Sequence, residues 1–130
     1  MHRAIEGLPI RISAPEAVGD YIHAGDVASA IVALLEKDGP LDHPVYNIAL
    51  GQSVTLRGLV AEVAAIVPGA TWELSDTGQC DIVSDDTHKG GRWGAYDISR
   101  ISNETGWRPR PLSKALLDYV SFIRTFGVTR

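Results

Sequence analysis

The sequence predicts an α/β fold, a small lobe of short, mainly parallel strands packed with three to five helices. Two observations carry that prediction. Short apolar runs at residues 10–12, 45–49 and 71–74 alternate with segments of helical period, and strands separated by helices pair in parallel rather than as hairpins. The chain also has 130 residues, of which 45% are hydrophobic and 22% charged. That is enough for a single domain, residues 1–130, to close one core without disulfide or metal staples.

Residues 1–6 form a short helix that stops at Gly7, and Ile10-Arg11-Ile12 alternates as a strand. A loop with Pro15 leads to an extended Tyr21-Ile22. From Asp26, the residues Val27, Ala30, Ile31 and Leu34 recur at helical spacing, with Ala28 and Leu35 widening the stripe. Asp26 is the expected N-cap of that helix, and Asp38-Gly39-Pro40 its stop. Val45-Tyr46-Asn47-Ile48-Ala49 has the composition of a buried strand. Thr55 caps a second helix whose inner face is Leu56, Leu59, Val60, Val63, Ala64 and Val67, and Pro68-Gly69 ends it. Residues 71–74 supply a third strand, and residues 75–94 are a long polar loop without period. Asp97 or Ser99 caps a short helix closed by Gly106, and a last helix from Leu112 buries Ala115, Leu116, Tyr119, Val120 and Ile123.

Composition removes several function classes. A formal net charge of -4 leaves no electrostatic footprint for nucleic acid. No apolar run approaches the length of a membrane span, and the first residues lack the pattern of a signal peptide, so the expected compartment is the cytoplasm. Cys80 is the sole cysteine and sits among polar residues, as a free or partly buried thiol does. Asp81, Asp85, Asp86 and His88 match neither a calcium loop nor a zinc pattern. A dinucleotide fingerprint is also missing, because it needs glycines at fixed offsets between a strand and a helix. The one cluster, Gly90-Gly91-Arg92-Trp93-Gly94, has no strand before it.

Three stretches nevertheless point one way. Asp20-Tyr21-Ile22-His23 with Asp26-Val27-Ala28 is similar to an Arg-Asp-(Tyr/Phe)-(Ile/Val)-His-Val-x-Asp-x-Ala segment. Val45-Tyr46-Asn47-Ile48 with Gly51-Gln52-Ser53-Val54-Thr55-Leu56 is similar to the strand, glycine loop and helix start that follow it. Asp97-Ile98-Ser99-Arg100 with Gly106-Trp107-x-Pro109 completes the set. In order and spacing, over residues 7–124, they resemble the carboxy-terminal, substrate-binding portion of an extended short-chain dehydrogenase/reductase of the NAD(P)-dependent sugar epimerase/dehydratase family. The resemblance implies a lobe lacking the Rossmann dinucleotide-binding half.

That half would carry the family's Gly-rich loop and its Tyr-x-x-x-Lys pair. The residues four after Tyr21, Tyr46, Tyr96 and Tyr119 are Gly25, Leu50, Arg100 and Ile123, so no such pair exists here. The chain is therefore expected to bind no cofactor alone, with NAD(P) arriving only with a Rossmann half, and to hold no catalytic residue of its own. The resemblance implies a truncated or separately encoded lobe for a nucleotide-sugar or sugar. The alternative is a free-standing, non-catalytic binding or oligomerisation module, whose exposed apolar patch would capture a partner or a second copy.

The candidate substrate-binding residues are Asn47, Gly51, Gln52, Ser53, Arg57 and Arg92. Asn47 interrupts an apolar strand near its carboxyl end, where ligands gather in parallel α/β folds. Gly51, Gln52 and Ser53 precede a helix and can present amides to an anion, with Arg57 adding charge in the first turn. The family's phosphate-pairing arginine is replaced here by Gly19, and Arg92 offers a substitute cation from the long loop. His23 is expected to make an internal hydrogen bond, and Trp72, Trp93 and Trp107 to anchor core or loops.

Overall fold

The apolar alternation at Ile10–Ile12 forms strand β1, which pairs in parallel with β4 (Trp72–Leu74), Ile10 opposite Trp72 and Ile12 opposite Leu74. A computed structural model describes residues 1–82 and 94–127. Five α-helices lie within them: α1 (His2–Ile5), α2 (Ala24–Leu35), α3 (Leu56–Ile66), α4 (Ser99–Thr105) and α5 (Leu112–Phe126). A second pair of strands, β2 (Val18–Gly19) and β3 (Val54–Thr55), is antiparallel, with Val18 opposite Thr55. The result is the α/β lobe of short strands and several helices that the alternation predicts, although one of its two strand pairs runs the other way.

Two hydrophobic clusters hold it together. The larger buries Ile10 and Ile12 of β1, Leu56, Val60 and Val63 of α3, and Val120 of α5. These α3 residues recur at i, i+4 and i+7, so a single stripe meets the parallel strand pair and α5. Thr55 caps α3 as expected, its hydroxyl accepting from Gly58 N at 3.0 Å. The smaller cluster has only Ala30, Ile101 and Trp107 fully inside, with Ala33, Leu34, Tyr46, Ile48 and Ile98 packed around them. Gly106 closes α4 in the left-handed region at φ 74°, where a side chain would be strained.

Four sequence expectations change. Helix α2 begins at Ala24, because His23 Nδ1 accepts from Gly25 N at 2.9 Å and acts as the cap; Asp26 lies inside the first turn, buried and paired with Arg110. The same helix ends at Leu35, before residues 38–40. Its Ile31 and Leu35 are exposed at 48% and 79% rather than buried, and on α5 Tyr119 is exposed as well. Residues 45–49 pack against the smaller cluster through Tyr46 and Ile48 but form no strand, since no neighbouring strand lies beside them among the described residues. Within the described residues no helix is long and apolar enough to cross a membrane.

Candidate functional site

Residues 50–53 follow the 45–49 segment and turn into β3. Gly51 takes φ 74°, and a Cβ there would lie 3.0 Å from Ile98 Cδ1, so both the backbone and the space favour glycine. The loop is fixed from a distance by Asp20. One carboxylate oxygen accepts from Leu50 N at 2.7 Å, and the other accepts from Gly51 N and Tyr96 N, each at 3.0 Å. The amide of Gly51 thus faces an anion, and that anion belongs to the chain itself.

Beside this loop lies a cleft of about 390 Å³. Leu50, Gln52 and Val54 form one wall, Gly58 and Glu62 of α3 another, and residues 109–113 the third. Pro109 and Pro111 flank Arg110, each with a φ fixed by its ring. Its Nε donates to Asp26 Oδ1 at 2.7 Å, Nη1 pairs with Asp118, and Nη2 lies 3.4 Å from His23 Nδ1. The hydrogen bond to Asp26, aided by Asp118, pushes the guanidinium pKa up. Gly25 N–H is directed at the same Nδ1. Arg110 is balanced by two carboxylates, so the cleft offers amide, hydroxyl and carboxylate partners on an apolar floor rather than a bare cation. Those groups can hydrogen-bond a polar ligand.

The remaining candidates disperse. Asn47 is exposed and its Nδ2 donates to Asp97 O at 3.0 Å, tying the 45–49 segment to the start of α4. Ser53 is exposed in the loop next to Gln52. Arg57 does not line the cleft; it pairs with Glu16 at 2.7 Å and lies over the Trp72 ring at 5.4 Å. Arg92 and Trp93 lie outside the described residues, as do Asp85, Asp86 and His88. Asp81 serves structure, paired with Arg3 at 2.9 Å and Arg11 at 3.2 Å. Burial raises its pKa, but the bonds from Arg11 outweigh that and hold it below the usual range. Among the described residues no group of three metal-ligating side chains exists. Cys80 is half-buried, its thiol directed at the carbonyls of Ser75 and Asp76.

Of the four tyrosines tested against the Tyr-x-x-x-Lys pattern, Tyr21 and Tyr46 have environments that disfavour an acid or base role. Burial raises the Tyr21 pKa; burial, followed by the hydrogen bond to Glu104, raises that of Tyr46. Glu104 receives Tyr46 Oη, Asp42 N at 2.8 Å and Lys37 Nζ at 3.1 Å. Burial pushes the Glu104 carboxyl up, but those three donors outweigh it and hold the pKa at about 2.

Asp20 and Arg110 were not chosen as site residues from sequence. A signal existed for each, since Asp20 stands in the first motif and Arg110 is flanked by prolines. Leu50, however, lies 30 residues from Asp20, and Asp26 lies 84 from Arg110.

No protein-family model and no curated protein matches the sequence. Solved structures do match, and they define the class: the chain has the fold of a part of the extended short-chain dehydrogenases/reductases. One is the apo form of a GalE-like L-threonine dehydrogenase from Cupriavidus necator, at TM-score 0.70 and 22% identity, covering 94% of this chain and 43% of that one. Another is UDP-glucuronic acid 4-epimerase from Bacillus cereus in complex with UDP-glucuronic acid and NAD, at TM-score 0.66 and 20% identity, covering 93% and 38%. A third is WbmF from Bordetella bronchiseptica with NADH, at TM-score 0.70 and 19% identity, covering 95% and 34%. At these identities the likeness is one of fold, and the chain spans 34–43% of the length of these three structures.

Proposed function

We propose that the chain is the substrate-binding lobe of an NAD(P)-dependent epimerase or dehydratase acting on a nucleotide-sugar or related sugar, and that it works with a dinucleotide-binding half. The likeness to enzymes whose structures hold UDP-glucuronic acid and NAD supports this reading over nearly the whole chain. The cleft at residues 50–54 and 109–113 is where the sugar would rest, between Gln52, Glu62 and Ser113. Hydride transfer needs a bound nicotinamide beside an acid or base, and this sequence carries neither a Gly-rich loop nor a Tyr-x-x-x-Lys pair. Binding, not turnover, is therefore its part.

Calorimetric titration of the chain with NAD, NADP and a panel of uridine, thymidine and guanosine diphosphate sugars tests the proposal. One nucleotide-sugar should bind, the dinucleotides should not, and Gln52→Ala should weaken the binding. Silence across the sugars overturns it. A second reading, a non-catalytic interaction module, is favoured by the exposed Phe122 and Phe126, whose rings lie 4.9 Å apart on α5. Under that reading the chain self-associates on sedimentation and Phe126→Asp makes it monomeric.

A further inference from the structure

We infer that the cleft beside residues 50–54 selects a sugar bearing a protonated amine, and that Glu62 is the residue that makes the selection; this rests on the function proposed above and adds the charge of the sugar to it. Glu62 stands one turn after Gly58 on α3, and both line the same wall of the cleft. Gly58 has no side chain to cover the carboxylate from the i, i+4 position. The other neighbours at helical spacing are Leu59, Ala65 and Ile66, none of them a cation. Glu62 is exposed, and among the described residues it makes no ion pair or hydrogen bond.

The charge around it is negative. Arg110 is the one cation in the lining of the cleft, and it is already balanced by Asp26 and Asp118. Counting Glu62, three carboxylates surround one guanidinium. Arg57 pairs with Glu16, and neither Arg57 nor Lys114 lines the cleft. The start of α5 at Leu112 has no side-chain cap and adds only the partial positive charge of a helix end, roughly half an elementary charge. A second anion brought to Glu62 would meet repulsion, and a cation attraction.

The hydrogen-bonding groups agree. An ammonium has three N–H donors and no acceptor. Glu62 offers two carboxylate oxygens, Gln52 an amide oxygen and Ser113 a hydroxyl oxygen, and no other described residue occupies these side chains. A sugar hydroxyl at the same place makes one neutral donor bond, weaker than a charge-assisted one. A sugar carboxylate brings acceptors and a like charge to Glu62. The order of preference is therefore amine, hydroxyl, carboxylate. Because Glu62 is exposed, water and salt screen the pair, which sets the preference for amine over hydroxyl at about fivefold.

Amide chemical shifts of the chain, followed through titrations with glucosamine, N-acetylglucosamine, glucose and glucuronate at about pH 6.5, test the inference. At that pH the glucosamine amine is protonated and the acetylated one is neutral. Glucosamine should move the amides of Gln52, Gly58, Glu62 and Ser113 and bind about fivefold more tightly than glucose or N-acetylglucosamine, with glucuronate the weakest. Added salt should lower the glucosamine affinity and leave that of glucose unchanged. Glu62→Gln should bring glucosamine down to the level of glucose, and Glu62→Lys should make glucuronate the tightest of the four. Both variants should keep the wild-type urea midpoint, since Glu62 bonds to nothing in the described fold.

Equal affinities for the four sugars, no glucosamine shift at those amides, or an amine preference that survives Glu62→Gln overturns the inference. These sugars carry no nucleotide, so the outcome separates from that of the nucleotide-sugar panel. Nucleotide-sugar binding without amine preference removes the selection by Glu62 and leaves the substrate lobe standing. Amine preference with silence across the nucleotide-sugars does the reverse.

Discussion

Replacing Asp20 by alanine should cost this fold more than any other exposed or half-exposed carboxylate. Its two oxygens take the amides of Leu50, Gly51 and Tyr96, the first two in partly buried surroundings and the third in the open. A hydrogen bond to a charged acceptor is worth roughly 1.5–3 kcal/mol when sheltered and less when water can replace it. Counting the two sheltered bonds at the low end and the exposed one at a fraction gives a loss of about 3 kcal/mol. With a urea slope of about 1.5–2 kcal/mol per molar for a domain of this size, the midpoint should fall by about 1.5–2 M. Asp20→Asn keeps one acceptor but turns an NH₂ donor toward amides, so it should lie nearer alanine than wild type. Exchange at Leu50, Gly51 and Tyr96 should accelerate together. A midpoint shift below about 0.5 M, with exchange at those amides unchanged, would refute the idea that Asp20 holds the loop.

Glu104 should make the fold acid-sensitive in a defined window. Its folded pKa of about 2 lies below the unfolded value of roughly 4.3, so unfolding takes up a proton between those values. The stabilisation is complete above about pH 4.3 and is lost as pH falls through about 2. Urea midpoints measured from pH 5 downward should fall in wild type and flatten in Glu104→Gln. Among the described residues buried Ser102 Oγ meets no hydrogen-bond partner, so Ser102→Ala should raise stability by about 1 kcal/mol in thermal or urea unfolding. Gly51→Ala meets both a positive φ and Ile98 Cδ1 at 3.0 Å; it should cost about 1–3 kcal/mol and also weaken ligand binding at the cleft, read by the same titration.

How much of this could be read from the residues depends on whether an element is local. The stripe Leu56, Val60, Val63 and the Thr55 cap are properties of a dozen consecutive residues, and α3 appears where they put it. Gly106 likewise closes α4. By contrast, β2 and β3 are two residues each, too short to carry a period, and their pairing joins residues 18–19 to 54–55. Residues 45–49 show the opposite case. Their β-branched and aromatic composition is genuine, but a strand is a relation between two segments, and the composition of one does not create the other. The exposed Ile31 and Leu35 have the same origin: helical spacing marks an apolar stripe, but whether another segment covers it is not a property of the stripe.

The cleft was only half legible, and the reason bears on how it works. A search by residue type finds a glycine loop before a helix and expects an outside anion there. It does not see that Asp20, 31 residues earlier, already occupies the Gly51 amide. Nor does it see Arg110 reaching 84 residues back to Asp26 on α2 while also pairing with Asp118 on α5. Those two contacts place Arg110 between the helices of the smaller and the larger cluster, and the cleft opens beside it. The link therefore ties the element that carries Asp26 to one wall of the cleft. An Asp26→Ala variant should cut that link: the Arg110 side chain would keep Asp118, while the start of α2 would lose its carboxylate tie to residues 109–113. Ligand affinity at the cleft, read by the titration that tests the proposed function, should then fall. An affinity unchanged by the substitution would show that this link does not shape the cleft.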